Sequence, residues 1–112
     1  MSNNNNIWVW IEQRNGKLMD VSLQTLGKGI ELAKHLAGKV SAVLIGDNIE
    51  GMAKEIICYG ADNVYLVADP GLKLYQSRAY TRIISELITM HKPDILLMGA
   101  SNIGIDLAPA VA

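Results

Sequence analysis

The sequence predicts an α/β fold: a three-layer arrangement of at least four parallel strands with helices on both faces. Two observations carry this. Short, wholly apolar runs alternate with longer segments of helical periodicity, and the runs lack the polar–apolar alternation of a sheet with one wet face. Right-handed crossovers between such runs lay the strands parallel and put helices on both sides.

The first run is Ile7, Trp8, Val9, Trp10 and Ile11, β-branched and aromatic, ended by Glu12 and Gln13. Trp8 and Trp10 alternate and so share a face, which is expected to be covered, as core. Asn15-Gly16 marks a turn. Residues 21–36 follow with Leu23, Leu26, Ile30, Ala33 and Ala37 at helical steps. Ser22 or Asp20 can cap the start, and Gly38 stands where a helix commonly stops. Gly27 and Gly29 each cost about 1 kcal/mol against alanine, and such residues in a helix facing a sheet permit close approach.

Residues 40–46 form a second buried-type strand. Residues 49–59 form a second helix, with Met52, Ala53, Ile56 and Ile57 on one side and Gly60 as its C-terminal cap. Asp62 and Asn63 introduce a third strand over 64–67, and Asp69-Pro70-Gly71 breaks the chain. Tyr80, Ile83, Ile84, Leu87 and Ile88 set a third helix over about 76–91.

The closing stretch runs from Lys92 to Ala112. Residues 95–98 form a fourth strand, and small residues follow: Gly99, Ala100, Ser101, Asn102 and Gly104. Asp106 then suits an N-cap, with Pro109 in the first turn of a last helix. Strand, glycine loop and helix start is the shape that presents backbone N–H groups to an anion. It is equally the shape of a tight strand-to-helix turn. The glycines match neither a P-loop nor a dinucleotide fingerprint, so the local pattern favours the turn.

Half the 112 residues are hydrophobic, the net charge is −1, and like charges do not run together. That disfavours a nucleic-acid or anionic-membrane surface. No apolar run approaches the ~20 residues of a membrane span. Residues 1–6 read as a disordered lead-in without signal-peptide character, and residues 7–112 as one domain. The single cysteine, Cys58, cannot form an internal disulfide, so a cytoplasmic setting is expected. It reads as a small buried hydrophobe rather than a nucleophile. His35 and His91 are lone, on helices, and read as surface or helix-terminal residues rather than ligands. Asp94 and Asp106 could pair, yet a strand start and a helix cap account for them. No catalytic or metal-binding constellation is visible.

The residues do resemble a family. Trp8 to Glu12, Asn15 to Leu18, Leu26-Gly27, Glu31 to Ala33, Gly38 to Gly46, Tyr59 to Tyr65, Pro93 to Ala100 and Gly104 to Pro109 together look like the N-terminal domain of the electron-transfer flavoprotein alpha subunit. The resemblance runs from Ile7 to the end. It implies an adenine-nucleotide-hydrolase-like sheet in a domain that continues past residue 112. A separate C-terminal domain would hold most flavin contacts, and FAD would sit in an alpha/beta heterodimer. It also implies transfer of electrons from flavin-dependent dehydrogenases to an acceptor, with a beta subunit as partner. No cofactor is then expected on this segment itself, and no flavin contact carries over onto it. The family usually has arginine where this chain has Ile105, and often where it has Ala110.

Two further expectations complete the reading. A strand edge left open beyond the fourth strand would favour self-association. The alternative function is a stand-alone adenine-nucleotide-binding module resembling universal stress proteins, with Gly99, Ala100, Ser101, Asn102 and Gly104 as its loop. A small cytoplasmic enzyme has no constellation behind it.

Overall fold

A computed structural model of the chain describes residues 6–14, 17–47, 49–72 and 77–99, the side chains of 14 and 77 apart. Its four long-range strands are β1 (Asn6–Ile11), β4 (Lys39–Gly46), β5 (Asn63–Ala68) and β6 (Ile95–Leu97). Two short strands, β2 (Gln13–Arg14) and β3 (Lys17–Leu18), lie between β1 and the helix α1 (Asp20–Leu36). The helices α2 (Glu50–Cys58) and α3 (Ser77–His91) complete the framework, with a 3-10 turn at Pro70–Leu72.

The sheet order is β5-β4-β1-β6, and all three pairings are parallel. The first strand is therefore central. Its alternation splits the interior in two. Ile7, Val9 and Ile11 meet Leu26 and Ala33 of α1 and Met52 and Ile56 of α2. Trp8 and Trp10 point the other way, to Tyr80 and Ile84 of α3 with Val43 and Ile45 of β4. Two helices on one face and one on the other give the expected three layers, and both tryptophans are buried core residues.

In α1 the buried residues Ser22, Leu26, Gly29 and Ala33 repeat at steps of four, three and four, a single stripe laid along the sheet. Gly29 permits a close approach, since a Cβ there would stand 2.8 Å from Val9 Cγ2. Gly27 does not, because it faces open space. The caps also differ from expectation. Met19 holds the N-cap position without a side-chain bond, and Ser22 turns inward instead. At the other end the left-handed residue is Ala37, with φ 53°, one position before Gly38. Gly38 N–H and Ala37 N–H both reach Ala33 O, so the turn closes around the alanine.

Gly60 ends α2 with φ 119°, as expected of a glycine past the last turn. Ile57 and Cys58 do not join the apolar side: both are exposed. Cys58 is two residues beyond Ile56, about 200° around the helix, which turns it away from the sheet. The expectation of a buried thiol is corrected. Ile57 is set about 100° from Ile56 and stays outside for the same reason.

β1 begins at Asn6, one residue inside the expected lead-in, because Asp94 holds it there. Asp94 N–H donates to Asn6 O at 2.9 Å, and Asn6 N–H donates to Asp94 Oδ2 at 2.8 Å. Asp62 serves β4 in the same way, its N–H reaching Val40 O at 2.8 Å while its Oδ2 accepts from Val40 N–H at 2.9 Å. Asp94 is thus a strand-start residue. Among the described residues β6 lies at a sheet margin and is only half buried, where a strand covered on both faces was expected.

Candidate functional site

α1 and α3 leave the sheet on opposite faces, so the connections reverse direction between β1 and β6. In open parallel sheets, ligands bind outside the carboxyl ends of the strands at this switch point. Gly99, the first residue of the candidate loop, lies here just beyond β6. It is half buried against the opening turns of α1. A Cβ on it would stand 2.9 Å from Val21 Cγ2 and 3.2 Å from Thr25 Oγ1. Thr25 is itself held by donating to Val21 O at 2.7 Å. At Gly99 the small residue is therefore required by side chains of α1. Ala100, Ser101, Asn102 and Gly104 lie outside the described residues, as do Ile105, Asp106, Pro109 and Ala110.

The other wall of the switch point comes from the end of β1. Glu12 is 2% exposed, and its backbone N–H donates to Ser22 Oγ at 2.7 Å. Its carbonyl accepts from Met19 N–H at 3.0 Å, closing the base of a hairpin. In that hairpin β2 and β3 pair antiparallel, Gln13 opposite Leu18 and Arg14 opposite Lys17. The expected turn at Asn15-Gly16 lies between these strands, outside the described residues. The Gln13 side chain reaches across the end of β4, where a Cβ on Gly46 would meet its Nε2 at 2.7 Å.

Charge along this rim is mostly negative. Asp47 and Asp69 follow strand ends, and Asp20 and Glu50 open α1 and α2, where the positive ends of helix dipoles favour them. Asp47, Glu50 and Asp69, with Ala68 and Pro70, line a depression of ≈ 470 Å³. Lys17, on the neighbouring hairpin, is exposed. Acidic side chains at this rim oppose the diphosphate of a dinucleotide, and Val21 and Thr25 fill the space beside Gly99. No group of three or more metal-ligating side chains is found among the described residues.

Sequence reasoning did not single out two features. Trp10 Nε1 is buried without a hydrogen-bond partner among the described residues, on the α3 face beside the switch point. Trp8, Tyr65 and His91 form a three-ring cluster, with centroid separations of 4.8 Å (Trp8–Tyr65), 4.7 Å (Tyr65–His91) and 5.9 Å (Trp8–His91). His91 is thus helix-terminal as expected, and seats the end of α3 on the sheet. The signal was present, since Trp8 and Tyr65 both belong to strands, but the strand order was needed to bring them together. No described helix is long and apolar enough to cross a membrane.

The sequence model of the electron transfer flavoprotein domain matches residues 7–112. The chain is 46% identical over 112 residues to the electron transfer flavoprotein subunit alpha of Thermoanaerobacterium thermosaccharolyticum, covering all of this chain and 34% of the relative. It is 42% identical over 106 residues to the protein of the same name from Clostridium acetobutylicum, covering 95% of this chain and 32% of that one. It is 40% identical over 106 residues to the acryloyl-CoA reductase electron transfer subunit beta of Anaerotignum propionicum, covering 95% and 29%. The chain thus spans about a third of the length of the curated relatives it matches.

Proposed function

The chain belongs to the electron transfer flavoprotein family, and from that premise we propose that residues 7–112 act as the non-catalytic N-terminal domain of an alpha-type subunit. On this reading the segment packs against a beta-type subunit. FAD is held elsewhere in the whole protein, which carries electrons from flavin-dependent dehydrogenases to an acceptor in the cytoplasm. The observation that carries the proposal is the switch point itself. Where a nucleotide-binding relative would open a pocket, the described wall is filled by Val21 and Thr25 beside Gly99, and the rim carries Asp20, Asp47, Glu50 and Asp69. Family membership and the relatives' names support the carrier role.

The chemistry open to the described residues is correspondingly limited. They order backbone, exclude water from the two faces of the sheet and present surface. The rival reading is an adenine-nucleotide module using Gly99, Ala100, Ser101, Asn102 and Gly104. Calorimetric titration with AMP, ATP and FAD separates the two. The scaffold reading expects no heat of binding to the polypeptide of residues 1–112. Micromolar binding of an adenine nucleotide, abolished by Gly99→Val in a variant with unchanged circular dichroism, would overturn it.

A further inference from the structure

β5 forms one margin of the sheet and pairs only with β4 among the described residues. Its six residues, Asn63 to Ala68, contain neither proline nor charge, the usual guards of an open edge. Leu66 on the strand is 36% exposed, and Ile57 and Tyr59, at the end of α2 and just past it, are 44% and 53% exposed. A groove of ≈ 620 Å³ runs between α2 and the start of this strand, lined by Ala53, Ile57 and Val64 with Lys54, Asp62 and Asn63 at its polar parts. The edge thus combines unpaired backbone with an apolar strip.

Its charge is one-sided. Residues 47–72 hold five of the chain's eleven acids (Asp47, Glu50, Glu55, Asp62 and Asp69) and one of its ten lysines and arginines, Lys54. The near-neutral total conceals this. Asp62 and Asp69 directly bracket β5, and Asp47 and Glu50 reinforce the Asp69 end. Two copies joined by antiparallel pairing of β5 would set Asp62 of one beside Asp69 of the other, so self-pairing meets like charge at both ends.

We propose that the β5 edge is a docking site for an extended segment of a partner protein, apolar at its centre and carrying Lys or Arg at both ends, which adds to the sheet as a further strand. Backbone hydrogen bonds give such a strand its affinity, and its alternate side chains and end charges give selectivity. The site is independent of the flavoprotein reading.

The test uses the whole protein and two short synthetic probes, each with alternating valine and threonine. One probe is flanked by lysines and the other by glutamates. Hydrogen exchange is followed at the amides of residues 63–68. The lysine-flanked probe is expected to slow exchange there about tenfold or more, as for amides joining a ladder, while the glutamate-flanked probe does not. Raising the salt to ~1 M, where the Debye length is about 3 Å, should weaken the effect. The double variant Asp62→Asn with Asp69→Asn keeps both side-chain acceptors and should erase the difference between probes. If that variant loses its circular dichroism, the salt series on the unaltered protein decides. Equal protection by both probes, or protection that grows with protein concentration alone, would overturn the proposal.

Discussion

Ser22 Oγ, on the first turn of α1, accepts the backbone N–H of Glu12 at 2.7 Å, and both residues are almost wholly buried. The hydroxyl ties the end of the central strand to the start of the helix that leaves it. Replacing Ser22 by alanine leaves a buried amide without its partner. The expected loss is about 1–3 kcal/mol in chemical denaturation, with Ser22→Thr less damaging than Ser22→Ala if the hydroxyl is what matters.

Gly27 and Gly29 differ in sign. Gly27→Ala adds a methyl into open space in the middle of a helix and should stabilise by about 0.5–1 kcal/mol. Gly29→Ala drives a Cβ to 2.8 Å from Val9 Cγ2 in the core, and overpacking of this kind costs about 1–3 kcal/mol. Thermal melts of the two variants should move in opposite directions.

Ala37 carries φ 53°, where its Cβ is strained. Glycine removes that strain, so Ala37→Gly should stabilise by about 1 kcal/mol. Gly38→Ala should not gain in this way. An unchanged or lowered melting temperature for Ala37→Gly would contradict the left-handed turn.

Cys58 is exposed at the last position of α2. One thiol per chain should react with a chromogenic disulfide reagent in the native protein, without denaturant. A thiol that titrates only after unfolding would restore the buried assignment made from its apolar neighbours.

Much of the fold was legible because buried strands and amphipathic helices write long patterns. The apolar run from Ile7 to Ile11 and the stripe through Leu26 and Ala33 need no tertiary information. Short-range devices were less visible. β2 and β3 have two residues each, too few for a period, and only the Asn15-Gly16 turn between them left a trace. The choice of Ala37 over Gly38 as the left-handed residue turns on a shift of one position, below the resolution of pattern. Cys58 was misjudged by composition, where counting its angle from Ile56 would have set it outside. At the candidate site Gly99 could be seen as a glycine, but Val21 and Thr25 reach it only through the order of the strands.

The clasp between Asn6 and Asp94 spans 88 residues and joins the central strand to its last neighbour. On the ribosome this order has a cost in time. β1 emerges before its neighbours, so one side of it waits for β4 and the other for β6. At about 5–20 residues per second, the interval before Asp94 appears is roughly 4–18 s. Until α3 (Ser77–His91) emerges, late in that interval, Trp8 and Trp10 lack the helix that will cover them. Such a nascent chain offers a holding chaperone an uncovered aromatic strand, and slower translation would lengthen that exposure.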